Sequence, residues 1–439
     1  MVIFIKIAQF LSSLCLLVLL HEFGHFFFAR LFKTRVEKFY LFFNPWFSIF
    51  RIKKGETEFG LGWLPLGGYC KISGMIDESM DKEALKQPAQ PWEFRSKKPW
   101  QRLLIITGGV LMNFILGMLL YMMVLYVWGK EFLPVENAKY GIAVDSLAYD
   151  AGFRDGDMIL SVDNKKIKSF DVLVKEIVLG DAKTVQVDRK GEKKDIAVPS
   201  WLIDKLIKTD KASFITPRFP FEIDTFAEES AGRLAGLLKG DRVIGVDNDT
   251  IRYFHEFRNK MQSSKNKKVD VVVVRKNDTA HVSVVVPATG LLGLAPVSLD
   301  HYFTFSTQTY TFWQSIPAGI NEGFHTLGTY ISQFKLMFKH KGYESLGSFI
   351  TFTRIFPDEW VWQAFFTLTA FLSLILAFMN FLPIPALDGG FIVYILYEMI
   401  TKKKPSDKFM EYAQMTGMIL LLGLLLYATF NDINRFIIK

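Results

Sequence analysis

Four stretches of this chain, Val2 to Leu20, Leu103 to Trp128, Phe365 to Leu382 and Met415 to Phe430, are long and apolar enough to cross a hydrocarbon layer roughly 30 Å thick. Water is absent there, so each backbone N–H and C=O must be satisfied within the segment, and the runs read as helices. Composition agrees: half the residues are hydrophobic, 42 of 439 are Phe and only 22% are charged, too apolar for an ordinary soluble protein of this length. The chain reads as an integral membrane protein. The first run lacks a small-residue cleavage site and ends in a polar motif, so it is expected to remain a span and not a cleaved leader.

Orientation follows from the short loops. Arg30, Lys33, Arg35, Lys38, Arg51, Lys53 and Lys54 follow the first run, Arg95, Lys97, Lys98 and Arg102 precede the second, and Lys402, Lys403 and Lys404 separate the last two. The positive-inside rule makes these loops cytoplasmic and puts both termini, with the segment from about 130 to 360, on the opposite side. The net charge of +8 is mostly this signal plus a lysine-rich soluble region, and it implies no nucleic-acid partner. Cys15 lies in a span and Cys70 in a loop, so neither a disulfide nor ligand spacing is expected.

Ionisable groups are expensive inside a membrane and usually functional there. The first run continues "LLVLLHEFGHFFFAR", with His21, Glu22 and His25 as His-Glu-x-x-His. On a helix the i and i+4 imidazoles stack on one face and can share one Zn²⁺, with Glu22 beside it as general base for a zinc-activated water. Two histidines packed in a polar crevice are the alternative. A catalytic zinc needs a third protein ligand and an open position. In "AFMNFLPIPALDGGFIVYILYEM" Pro383 and Pro385 forbid a continuous helix, so the chain must become extended and restart near Asp388. Irregular backbone at membrane depth survives only in protein or beside a polar cavity. That makes Asp388 the natural third ligand, over a mere helix cap, and puts Asn380 where it can donate to a substrate carbonyl or an oxyanion.

These residues resemble the site-2 protease family of intramembrane zinc metalloproteases, in its bacterial regulator-of-sigma-E branch. "WLPLGGYCKISGM" at 63–75 resembles that family's cytoplasmic loop, and "GGVLMNF" at 108–114 resembles the small-residue and Asn signature of its second core helix. The resemblance implies His21, His25 and Asp388 as ligands of one zinc, Glu22 as acid-base, and Asn380, Tyr69, Gly68 and Asn113 as substrate-binding or intermediate-stabilising residues. It also implies a bacterial inner membrane location and, as substrates, pre-cleaved single-span proteins such as anti-sigma factors or remnant signal peptides. Two departures stand out: Val110 follows Gly109 where the family usually has Pro, and "LGSFITFTR" at 346–354 replaces a Ser-Gly-Pro-Ile stretch. "TEFGLGWLPLGGYCKIS" reads as a membrane-associated β-hairpin whose open edge can add an unwound substrate as another strand.

Between the second and third runs the chain repeats itself. "AGFRDGDMILSVDNKKI" at 151–167 matches "AGLLKGDRVIGVDNDTI" at 235–251. Strand and turn signals around each copy resemble permuted PDZ domains, with "YGIAV" at 140–144 as the groove strand of the first. Such a pair can capture peptide C-termini or act as a size filter. From Thr309 to Phe338, apolar residues at steps of three or four with Glu322, His325 and Pro317 among them suggest a helix lying on the membrane surface.

The expected architecture is an α-helical polytopic membrane protein with four transmembrane helices, a membrane-associated β-hairpin and two inserted α+β PDZ-like domains. Its segments are 1–30, the first transmembrane helix with the zinc motif; 31–102, the cytoplasmic loop; 103–130, the second helix; and 135–200 and 215–298, the PDZ-like domains. Then come 305–358, the amphipathic surface region; 360–400, the third transmembrane segment; and 410–432, the fourth helix. The expected function is hydrolysis of peptide bonds within membrane spans. Alternatives are a non-catalytic zinc-binding scaffold whose PDZ-like pair holds exported proteins, a CAAX-type protease and a metal transporter. Intact Glu22 disfavours the first, the late Leu-Asp-Gly and the PDZ-like pair the second, and the single polar cluster the third.

Overall fold

A computed structural model describes residues 2–65, 67–75, 88–179, 182–202, 205, 214–227, 229–339 and 349–433. The chain forms two compact units, one from Met1–Gly129 with Thr309–Lys439 and one from Lys130–Gln308. Parts of the expected segments, 76–87 in the first loop and 340–348 with the start of "LGSFITFTR", lie outside the described residues.

Helix α1 (Val2–Leu31) runs 30 residues without a break, so the His-Glu-x-x-His motif sits on the same rod as the apolar run before it. Four strands follow: β1 (Val36–Leu41), β2 (Phe50–Lys54), β3 (Thr57–Leu61) and β4 (Tyr69–Ile72). Their sheet order is β2-β3-β1-β4. Only β2 and β3 form a hairpin; β3 pairs parallel with β1 and β4 antiparallel with it. The stretch expected to be one hairpin therefore supplies two strands on opposite sides of β1. Gly60 makes that possible, because a Cβ there would lie 2.2 Å from the ring of Tyr40, which is buried in β1. The outer edge of β4 carries no strand among the described residues. Helix α2 (Pro99–Trp128) then starts with Pro at its first position, where the missing N–H costs nothing.

The second unit opens and closes on one antiparallel pair, β5 (Lys130–Phe132) with β17 (Ser306–Gln308). Between them two segments share an element order. The first holds β6 (Ile142–Val144), α3 (Ser146–Asp150), β7 (Met158–Val162), α4 (Phe170–Leu179), β8 (Thr184–Arg189), β9 (Glu192–Ala197) and β10 (Ile215–Pro217). The second holds β11 (Ile223–Phe226), α5 (Ala231–Leu234), β12 (Arg242–Val246), the short β13 (Asp249–Thr250), α6 (Phe254–Ser263), β14 (Lys268–Arg275), β15 (Asp278–Val285) and β16 (Leu294–Pro296). In each, the first strand pairs antiparallel with the last. Each buries its own core, around Phe153, Leu173 and Val185 in one and Phe221, Val243 and Val271 in the other. Both also bury the Asp of the Gly-Asp turn against an Arg from a later strand, Asp157 with Arg189 and Asp241 with Arg275, at 2.7 Å in each case. Stacked Phe219 and Phe254, and Arg218 over Tyr253, join the two segments.

The strand at 142–144 is not an open groove edge. One side pairs with β10; on the other the Ile142 N–H donates to Asp157 O, Gly156 N–H to Ile142 O, and Val144 N–H to the Asp155 carboxylate. The turn leading into β7 wraps back over it and takes those positions.

The first unit resumes with α7 (Phe312–Lys339), α8 (Phe349–Arg354), α9 (Trp362–Phe381), α10 (Asp388–Thr401) and α11 (Asp407–Ile433). Helix α7 differs from the expected surface helix. It runs antiparallel to α2, with Phe312 against Tyr126 at one end and Phe324 against Phe114 at the other. Twelve residues of α2 separate those contacts, about 18 Å of helix rise. Gly319 and Gly323 face Met122 and Met118 so closely that a Cβ would collide with them, which seats α7 on α2. The amphipathic pattern is the same for a helix on a membrane surface and one packed on a neighbour. Among the described residues four helices, Val2–Leu31, Pro99–Trp128, Trp362–Phe381 and Lys408–Ile433, are long and apolar enough to cross a membrane, consistent with a polytopic membrane protein.

Candidate metal centre

Helix α9 stops at Phe381, Leu382 is extended, Ala386 adopts a left-handed φ of 74°, and α10 begins at Asp388. The double-proline break thus restarts a helix at the carboxylate. A Cβ on Gly389 would lie 2.0 Å from the Leu382 carbonyl oxygen and one on Gly390 2.8 Å from that of Ile384. Only glycines let the new helix fold so tightly against the extended stretch.

On α1, His21 and His25 face this point. Nε2 of His21 is 3.3 Å from Nε2 of His25 and 3.3 Å from Oδ2 of Asp388, and His25 Nε2 is 3.5 Å from the same oxygen. Donors about 2.0–2.1 Å from a tetrahedral metal lie about 3.3–3.4 Å apart, so the triangle has the size of one face of a zinc site. Asp388 Oδ2 is buried and makes no hydrogen bond, as befits a carboxylate oxygen whose partner is a cation. The far side of His25 is fixed by its Nδ1, 2.9 Å from the Ile105 carbonyl oxygen, which assigns the proton to Nδ1 and frees Nε2 for a metal. The amide of fully buried Asn113 lies 3.4 Å from His21 Nδ1, and that of Asn380 lies 3.5 Å from His21 Nε2. Gly109 of α2 leaves room for both rings: a Cβ there would lie 2.5 Å from His25 Nε2 and 2.7 Å from His21 Cε1.

A cavity of about 800 Å³ opens beside the triangle, lined by His21, Glu22, His25, Gly68, Tyr69, Cys70, Asn380, Asp388 and Gln414 among others. Glu22 is buried there. Gly68 brings the start of β4 against it, since a Cβ would lie 3.2 Å from Glu22 Cγ and 2.8 Å from Val18. Tyr69 stacks on Tyr40, and its hydroxyl donates to Asn44. All eight residues singled out in the sequence thus meet around one cavity or touch its lining. The contacts of Gly109 and of the Ile105 carbonyl with the histidine rings were not legible there, because each joins distant segments.

Two imidazoles and a carboxylate around a metal-sized gap, with a buried glutamate beside it and a cavity on the open side, define a membrane-embedded zinc metalloprotease. The chain belongs to peptidase family M50, the site-2 protease family, whose model matches residues 9–424. It is 25% identical over 452 residues to a Vibrio cholerae protein named "Putative zinc metalloprotease", covering 97% of this chain and 98% of that one. A Neisseria meningitidis serogroup A protein with the same description is 28% identical over 450 residues, covering 97% of this chain and 98% of that one. The regulator of sigma-E protease RseP of Escherichia coli is 26% identical over 455 residues, covering 98% of each chain.

Proposed function

We propose that this zinc metalloprotease hydrolyses peptide bonds within or at the edge of the membrane, in single-span proteins already trimmed by a first cleavage. The observation that carries the reading is the His21, His25 and Asp388 triangle, with sides of 3.3 to 3.5 Å, built from two helices of a membrane bundle. Zinc bound there supplies Lewis acidity, which polarises a carbonyl and makes a water more acidic. Glu22 takes a proton from the attacking water and returns it to the departing amine. Asn380 donates to the oxygen that becomes negative, and Asn113 holds the His21 ring.

A helical peptide bond is hidden by its own hydrogen bonds, so a substrate must unwind. The side of β4 away from β1, which carries no strand among the described residues, is read as the place where it is added as a further strand, and Gly68 just before β4 lies against Glu22. By the positive-inside rule the loops rich in Lys and Arg, including the one that holds β4, are read as facing the cytoplasm of a bacterial inner membrane and residues 130–308 as lying on its other side. That unit is read as a tandem PDZ-like pair acting as a size filter, which spares substrates that still carry a folded outer domain. Anti-sigma factors and remnant signal peptides fit this description.

The test is cleavage of a trimmed single-span reporter by wild type and Glu22→Gln, beside the same reporter with a folded outer domain. Wild type should cut the trimmed form inside its apolar span and spare the other, and the variant should be slower by about 10²–10⁴-fold with its zinc intact. Equal cutting by the variant overturns the role of Glu22; equal cutting of both reporters overturns the filter.

A further inference from the structure

A second cavity, of about 260 Å³, lies where the start of α2 meets the junction of α10 and α11. Met75 and Phe391 line both this cavity and the catalytic one. Its wall is divided by chemistry. Met75, Phe94, Phe391, Ile395 and Met410 are apolar, while Arg95, Arg102, Glu398 and Lys404 are charged and Tyr394 lies among them. Two of the cations are already balanced: Arg102 Nη2 is 2.6 Å from Glu398, and Arg95 Nε is 2.6 Å from Glu93. Lys404 has no ion-pair partner among the described residues, leaving one positive charge in excess. The Tyr394 hydroxyl is buried and unpartnered, a donor in want of an acceptor.

We propose that this cavity binds the phosphodiester of an anionic phospholipid. A phosphodiester carries one negative charge, matching the single excess cation, and its oxygens can accept from Tyr394 and Lys404 in charge-assisted hydrogen bonds. The apolar wall suits the glycerol and first acyl carbons. Location favours a lipid over a free anion, because the cavity sits at the ends of two membrane-crossing helices, Pro99–Trp128 and Lys408–Ile433, where headgroups lie.

The full-length protein, delipidated in neutral detergent, is titrated with short-chain phosphatidylglycerol, phosphatidylcholine and inorganic phosphate, with bound molecules counted by native mass spectrometry. Phosphatidylglycerol should bind at about one per chain. Lys404→Gln and Tyr394→Phe should each weaken it about tenfold, the loss of one charge-assisted bond, while Lys403→Gln leaves it unchanged. The lipid-free melting temperature of Tyr394→Phe should not fall, since the variant removes only an unpaired buried hydroxyl. Equal losses in Lys403→Gln and Lys404→Gln, equal affinity for phosphatidylcholine, or tighter binding of inorganic phosphate than of phosphatidylglycerol would each overturn the assignment.

Discussion

Gly24 of α1 and Gly108 of α2 meet backbone to backbone: a Cβ on Gly24 would lie 2.2 Å from the Gly108 carbonyl oxygen, and one on Gly108 2.6 Å from that of Gly24. Lipid chains are as apolar as Leu, so membrane helices associate through close packing, and small residues permit it. This contact lies between His21 and His25 along α1. The spacing it sets puts Gly109, the next residue of α2, against both imidazoles.

Gly109→Ala should therefore attack the metal site more than the fold. The added methyl occupies the space of His25 Nε2, and the rings must turn away from Asp388. We expect zinc affinity to fall by more than tenfold, comparable to losing a group that orients a ligand. Metal analysis of purified protein with a melting curve checks it, and full zinc occupancy in the variant would contradict it.

Asn113 acts one layer out. It is fully buried, its amide faces His21 Nδ1 at 3.4 Å, and its backbone carbonyl accepts from Ser373 Oγ on α9 at 2.6 Å. Asn113→Ala should weaken zinc binding by about 10–100-fold in a chelator competition. Asn113→Asp, whose carboxylate can accept from the Nδ1–H of a His21 ring that binds metal through Nε2, should recover part of the loss.

The paired Asp157 and Arg189, with Asp241 and Arg275, predict matched effects in the second unit. Each aspartate is buried while its arginine is partly exposed and can rehydrate. Asp157→Ala and Asp241→Ala should each cost about 2 kcal/mol, below the 3–5 expected for a fully buried pair. Hydrogen exchange confined to residues 130–308 reads this out, with zinc content unchanged.

Acid should loosen the same unit. Burial works to raise the Asp155 carboxyl, but the His255 ring 3.4 Å away and the Val144 N–H outweigh it and hold the carboxyl below the usual carboxylate range. A carboxyl depressed in the folded state stabilises above its unfolded pKa of about 3.9, and that contribution disappears as pH falls through the lower folded value. Unfolding followed from pH 5 downward should show the loss in wild type and a flatter profile in Asp155→Asn.

What the sequence made legible was local. His-Glu-x-x-His lies within four residues of one helix, and Pro383 and Pro385 can only break the next one, so α1 and the restart at Asp388 follow from short-range rules. Long-range choices were hidden. Nothing in Val36–Leu41 announces a strand that takes β3 on one side and β4 on the other, because that pairing depends on long-range contacts such as Gly60 facing Tyr40. Helix α7 carries an amphipathic stripe whose partner, α2, lies almost two hundred residues earlier. Pattern alone assigned that partner to the lipid surface.

The most direct test of the central claim is X-ray absorption at the zinc edge of the purified protein and of Asp388→Ala. Wild type should give only nitrogen and oxygen neighbours at about 2.0–2.1 Å, as His21, His25 and Asp388 require, and the variant should lose zinc or one oxygen from that shell. A sulfur neighbour at about 2.3 Å would bring in Cys70, which lines the same cavity, and would contradict the assignment, as would an unchanged shell in Asp388→Ala.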